Sequence, residues 1–189
     1  MHKLNKNIVS FDSERLILVD SLDNEIGTMS KIDCHQGEGR LHRAFSVFLF
    51  NAKGELLIQQ RSALKKLWPL FWSNSCCSHP REGENITEAV NRRLLDELGI
   101  EAVDLEYIYK FSYTAKYKDV GSENELCHVF IGKIDQKIEI NLNEIADFKF
   151  LNSKDITTLL KREGIYTPWF IMEWERINSD HSELLKTSP

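Results

Sequence analysis

Between Glu84 and Gly99 the chain writes an amphipathic helix whose apolar face contains two charges. At 100° per residue, with Ile86 as zero, Ile86, Ala89, Val90, Leu94 and Leu98 fall at about 0, 300, 40, 80 and 120°. That spacing predicts a helix over 84–98, stopped by Gly99. Arg93 and Glu97 fall at about 340 and 20°, in the middle of the apolar arc. A buried charge costs several kcal/mol unless it is paired or metal-bound. Two readings stay open on spacing alone: an i,i+4 ion pair snorkelling from the core edge, or a functional pair that the fold buries for its chemistry.

The flanking sequence supplies a sheet for this helix to cover. Ala44–Phe50 is an apolar strand, Asn51-Ala52-Lys53-Gly54 a turn, and Leu56–Gln60 the returning strand of a hairpin. Further strands are predicted near 105–115, 125–133, 136–141 and 147–151. Ser153 and Asp155 open a helix that Gly164 closes, and Pro168 starts another. Strands around a central helix with helices added at the end make an α+β (mixed α/β) fold. With 189 residues, only 4 Pro and 9 Gly, and no linker, repeat or low-complexity tract, residues 1–189 are expected to form one domain. Residues 1–15 are a flexible extension or a cap on the site.

Composition removes several classes. Lys+Arg is 24 and Asp+Glu 29, a net charge of −5, which argues against a general nucleic-acid or anionic-membrane binder. An anionic ligand would need a local cluster of cations. No apolar run approaches the ~18 residues of a membrane span, and Met1–Asn7 lacks a signal core, so a cytoplasmic protein is expected. Cys34, Cys76, Cys77 and Cys127 are read as thiols, since adjacent Cys76 and Cys77 suit simple bridges poorly.

Several residues have the chemistry of a site. Cys77 and His79, in the run Trp72–Pro80, fit a nucleophile, plain loop chemistry, or half a zinc site with Cys34-His35, though that spacing matches no standard ribbon or finger. Glu123 and Glu125 open an apolar strand, where period two puts them on one face with Cys127, while His128 points to the other. A solvated strand end is the commoner reading of such a pair. His35, His42 and His79 with Glu123 and Glu125 would make a three-His, two-carboxylate set suited to Mn, Fe or Zn. His2 and His181 are read as surface residues.

Glu84, seven residues, and Arg92-Arg93-Leu94-Leu95-Asp96-Glu97-Leu98-Gly99-Ile100 resemble the Nudix box. Ser78 stands in place of its first Gly, Arg93 in place of a box Glu, and Asp96 in place of another, while Glu97 is kept. An Arg for a metal-binding Glu damages a hydrolytic magnesium cluster and suits a phosphate instead. Lys31–His35, Leu41–Ser46, Asn51–Gly54, Gln60–Lys66, Trp72–Pro80, Glu123–Glu125 and Thr167–Trp169 occur in the order seen in the type I isopentenyl-diphosphate isomerases, a non-hydrolysing Nudix-fold family. The resemblance runs from about Leu16 to the Trp169 helix.

It implies a Nudix-like mixed sheet with packed helices and additional C-terminal helices, and an isomerase that interconverts isopentenyl and dimethylallyl diphosphate by protonating and deprotonating the alkene. By resemblance Cys77 and Glu125 are the proton-transfer groups on opposite faces of the substrate. Tyr113 bonds the glutamate, with Tyr117 or Tyr109 as alternatives, and Trp169 faces the cation. Lys31, Arg61, Lys65 and Arg93 contact the diphosphate. Glu97 and the Cys77 carbonyl hold its Mg²⁺, and His35, His42, His79, Glu123 and Glu125 hold Mn²⁺ or Zn²⁺. The partner is a small-molecule substrate, with no nucleic acid or membrane, acting on a monomer or homodimer. A Nudix diphosphohydrolase and a non-catalytic metal-stabilised module are the rivals.

Overall fold

Strand β3 (His42–Phe50) organises the sheet, because eight of its nine residues are buried, as expected of a strand covered on both faces. The computed structural model describes residues 7–101, 103–161 and 164–182. Along one edge β3 pairs in parallel with β8 (Gly121–Lys133) from His42↔Glu125 to Phe50↔Lys133. Its other edge is shared by β1 (Arg15–Val19), β6 (Cys76–Ser78) and β4 (Leu56–Arg61) in turn. β2 (Glu25–Ser30) pairs with β1, and β5 (Trp72–Ser73) and β9 (Ile145–Leu151) pair with β4. β7 (Leu105–Tyr117) forms a long antiparallel ladder with β8.

Alternation along β3 divides the core in two. Ala44 and Phe48 pack with Trp169, Phe170, Trp174 and Ile177 of helix α4 (Pro168–Asp180). Phe45, Val47 and Leu49 pack with Ala89, Val90, Leu94 and Leu98 of helix α2 (Ile86–Leu98). α2 matches the predicted helix, shortened at its start by a capping box in which Asn85 accepts from the Glu88 N–H at 3.0 Å. Gly99 ends it at φ +67°, and a side chain there would lie 3.1 Å from the Glu139 Cβ.

Residues 136–141 are not the predicted strand. Their N–H groups turn to the end of α2, Glu139 donating to the Leu98 carbonyl and Asn141 to that of Glu97, both at 2.8 Å, so the segment caps a helix. The next helix, α3 (Ser153–Leu159), is capped by Asn152 and ends before Gly164. The β1–β2 hairpin escapes the apolar pattern because β2 has no buried residue. The four-residue helix α1 (Lys31–Cys34) is too short for periodicity to reveal. No described helix is long and apolar enough to cross a membrane.

Candidate active site

Five side chains far apart in sequence meet at the start of β3. His35 caps α1, His42 opens β3, His79 follows β6, and the parallel register sets Glu125 opposite His42, with Glu123 one pleat earlier. One candidate ligand atom from each of His35, His42, His79, Glu123 and Glu125 lies within 4.8 Å of all the others. The imidazole centroids are 4.7–5.3 Å apart. Nδ1 of His35 meets the Lys31 carbonyl at 2.6 Å, and Nδ1 of His42 meets that of Arg40 at 2.7 Å. A proton on Nδ1 to serve those carbonyls leaves each Nε2 with an inward lone pair.

The cluster has the marks of a cation site. Among the described residues His42 Nε2 and His79 Nδ1 are buried without a hydrogen-bond partner, which costs about 1–3 kcal/mol apiece for a group drawn from water. Burial lowers His42 to about 4 and His79 well below the ordinary imidazole value, so both are neutral and competent as ligands. Burial works against charge on His35 too, but the Glu123 carboxylate, 2.8 Å from its Nε2, outweighs it and moves His35 upward. Burial opposes ionisation of Glu123, yet His35 brings it to about 2. Glu125 goes the other way: burial and then the Glu123 charge raise it well above a normal carboxyl. His79 Nε2 is 2.8 Å from Glu125 Oε1, and the Tyr113 hydroxyl donates to Oε2 at 2.6 Å. The donor set fits a divalent metal ion.

A cavity of about 590 Å³ joins this cluster to the rest of the predicted site. Lys31, His35, Arg61, Lys65, Cys77, His79, Arg93, Tyr113, Glu123, Glu125 and Trp169 all line it. His42 and Glu97 do not, and stand one layer back. Cys77 reaches it from β6, opposite Ser46, and burial pushes its thiol up to about 12, against the pull of the Arg61 charge. Trp169 is fixed by its indole N–H, which donates to Ser73 Oγ at 3.0 Å. The Arg61 guanidinium stacks 5.3 Å from its ring centroid and donates to the Trp68 and Leu67 carbonyls at 3.1 and 2.9 Å. Tyr113, rather than Tyr109 or Tyr117, is the tyrosine on Glu125.

The two charges in the apolar arc of α2 are a buried pair and do not snorkel. Arg93 and Glu97 are each 2% exposed, with Arg93 Nη2 2.7 Å from Glu97 Oε1. Glu97 also accepts from the Cys76 thiol at 3.6 Å, which gives the first cysteine of the adjacent pair a partner. Arg92 grips Glu84 through two bonds of 2.7 and 2.8 Å, locking the loop before the helix. Sequence reasoning missed Glu144, which lines the cavity beside Lys65 and Arg93, and no pattern distinguishes it within Asn141-Leu142-Asn143-Glu144. Residues 7–14 act as a cap. Val9 accepts from Arg93 Nη1 at 3.0 Å, Ser10 from Lys31, and Ile8, Ser10 and Asp12 line the mouth. His128 faces away, as period two requires, and meets Asp23 at 2.9 Å. His181 stacks on Tyr109, and His2 lies outside the described residues.

A model of the NUDIX domain matches residues 40–170. A Photorhabdus laumondii protein named isopentenyl-diphosphate Delta-isomerase 1 is 47% identical over 91% of this chain and 99% of its own. A Salmonella heidelberg protein named isopentenyl-diphosphate Delta-isomerase is 39% identical over 85% of this chain and 90% of its own. Among solved structures, a Deinococcus radiodurans protein superposes with a TM-score of 0.72 at 22% identity, covering 86% of this chain and 98% of its own. The MutT protein from Methanosarcina mazei does so with a TM-score of 0.59 at 16% identity, covering 74% and 96%. At those identities the likeness concerns the fold.

Proposed function

This chain belongs to the isopentenyl-diphosphate Delta-isomerases, a family built on the NUDIX domain, and from that premise we propose that Cys77 and Glu125 interconvert isopentenyl and dimethylallyl diphosphate by moving two protons. The observation that carries this reading is a single cavity lined by a thiol, a buried carboxyl and an indole together with four cations, one of which, Arg61, stacks on the indole. Of Cys77 and Glu125, one gives a proton to the terminal alkene carbon, the other takes one from the carbon next to the diphosphate-bearing carbon, and the double bond shifts by one position. The roles exchange in reverse. Tyr113 aims the Glu125 carboxyl through its 2.6 Å hydrogen bond, and Trp169 presents a π face to the tertiary cation without offering a nucleophile. Lys31, Arg61, Lys65 and Arg93 hold the diphosphate as forks and point charges. His35, His42, His79, Glu123 and Glu125 would hold Mn²⁺ or Zn²⁺, and Glu97 with the Cys77 carbonyl a diphosphate-bound Mg²⁺; the ions would supply positive charge that lowers the proton affinity of Glu125 and offsets the negative charge of the diphosphate. Burial of the site keeps water from the cation.

Proton NMR of isopentenyl diphosphate in D₂O with the Mg²⁺-supplemented enzyme tests the assignment. Dimethylallyl diphosphate carrying deuterium should appear, and Cys77→Ala should abolish it. Unchanged substrate in metal-replete protein, or release of phosphate, would overturn the reading.

A further inference from the structure

A carboxylate at the anion-binding end of the cavity demands an explanation, because by charge alone it repels a diphosphate. Glu144 is 4% exposed and its Oε2 receives both Lys65 Nζ and, at 3.0 Å, Arg93 Nη2. The same Arg93 nitrogen lies 2.7 Å from Glu97 Oε1, so one guanidinium corner is shared by two carboxylates. The backbone is built to keep Glu144 there. Its N–H donates to the Asn141 carbonyl at 2.9 Å, and its carbonyl accepts the Ser62 N–H at 2.9 Å. Ser62 in turn accepts the Lys65 N–H at 3.1 Å, which knits the Lys65 turn to the Glu144 turn through one residue. Burial opposes ionisation, but Lys65 and Arg93 hold Glu144 at about 2, so it is a permanent anion among cations that otherwise repel one another.

We propose that Glu144 is a positioning residue for the diphosphate: it keeps Lys65 and Arg93 facing the cavity, and it holds Arg93 when Glu97 turns to magnesium. Without it, Arg93 has Glu97 as its remaining carboxylate partner among those described, and the pair competes with the ion. The Lys65 side chain, 21% exposed, is then free to swing to solvent. This rests on the assignment of Lys65, Arg93 and Glu97 to the diphosphate.

Calorimetry of inorganic diphosphate binding at varied Mg²⁺, with isomerase kinetics alongside, tests the proposal on the full chain. Glu144→Gln should raise the half-saturating Mg²⁺ and the diphosphate Kd at least tenfold and raise KM similarly, with kcat within threefold of the parent. Should the Gln variant fail to fold, Glu144→Asp, which keeps the charge but withdraws it by one methylene, should raise the Mg²⁺ requirement about threefold. Unchanged or tighter diphosphate binding in the folded variant would overturn the proposal, since simple charge repulsion predicts tighter. Lys65→Met in parallel separates the two assignments: if it leaves diphosphate affinity intact, the underlying site reading fails and the Glu144 proposal with it. If it weakens binding while the Glu144 variant does not, only the proposal fails.

Discussion

Glu173 shows how one buried group ties stability to pH. It lies one turn after Trp169 on α4 and is fully buried. The Cys127 thiol donates to Oε1 at 3.5 Å, and Oε2 has no hydrogen-bond partner among the described residues. Burial raises its carboxyl to about 8, with the Ser46 and Cys127 hydrogen bonds working weakly against it. The folded value therefore lies above the ordinary 4.5, so the folded protein keeps a proton that the unfolded chain loses. The stability this gives is complete below about pH 4.5 and declines by about 1.4 kcal/mol per unit as pH rises towards 8. Glu173→Gln removes the slope. Urea midpoints of the two metal-loaded proteins should diverge steadily between pH 5 and 8 in favour of Gln, and a gap that stays constant would contradict a protonated Glu173.

At the level of elements, the metal cluster depends on how closely the β7–β8 hairpin abuts α1. The His35 carbonyl accepts the Ser122 N–H at 2.9 Å, and a Cβ on Gly121 would lie 2.4 Å from that carbonyl oxygen. Backbone cannot yield as a flexible side chain does, so Gly121→Ala must push α1 and the His35 ring away from Glu123. Overpacking of this kind costs about 1–3 kcal/mol. The variant should show a lower melting temperature and at least tenfold weaker Mn²⁺ binding, read by metal titration. Gly121→Ala binding Mn²⁺ like the parent would mean that the hairpin does not set His35. Strands β3 and β8 were legible as apolar runs and helix α2 by its 3.6-residue period, and Glu123, Glu125 and Cys127 share a face because side chains alternate along a strand. α1 and the 136–141 segment were not, since one is a single turn and the other is held by hydrogen bonds to the end of a helix, which no side-chain pattern records.

Across the whole molecule, the two ends of the cavity carry opposite electrostatic demands within a chain whose net charge is −5. Three imidazoles crowded with two carboxylates want a cation, and the cluster of Lys31, Lys65 and Arg93 wants an anion. Stripping metal with EDTA should therefore lower the melting temperature, and Mn²⁺ or Zn²⁺ should restore it. At a hundredfold excess over Kd the gain is about 2.7 kcal/mol, or about 5–10 °C for a chain of this size. His42→Ala should show little of that gain. An equal gain in the variant would place the ion elsewhere. The cluster's membership was legible from residue types and strand period together with the family resemblance, whereas its convergence depends on the parallel β3–β8 register, which no local pattern encodes. Glu144 was illegible for the same reason, since its meaning lies entirely in Lys65 and Arg93, which arrive from other parts of the chain.

The elevated proton affinity of Cys77 reaches beyond its part in turnover. It is the thiolate that attacks peroxides and disulfide reagents, and a thiol held at about 12 offers almost none of it at neutral pH. In the resting protein, a residue needed for the chemistry is thereby shielded from the oxidants that find ionised cysteines first.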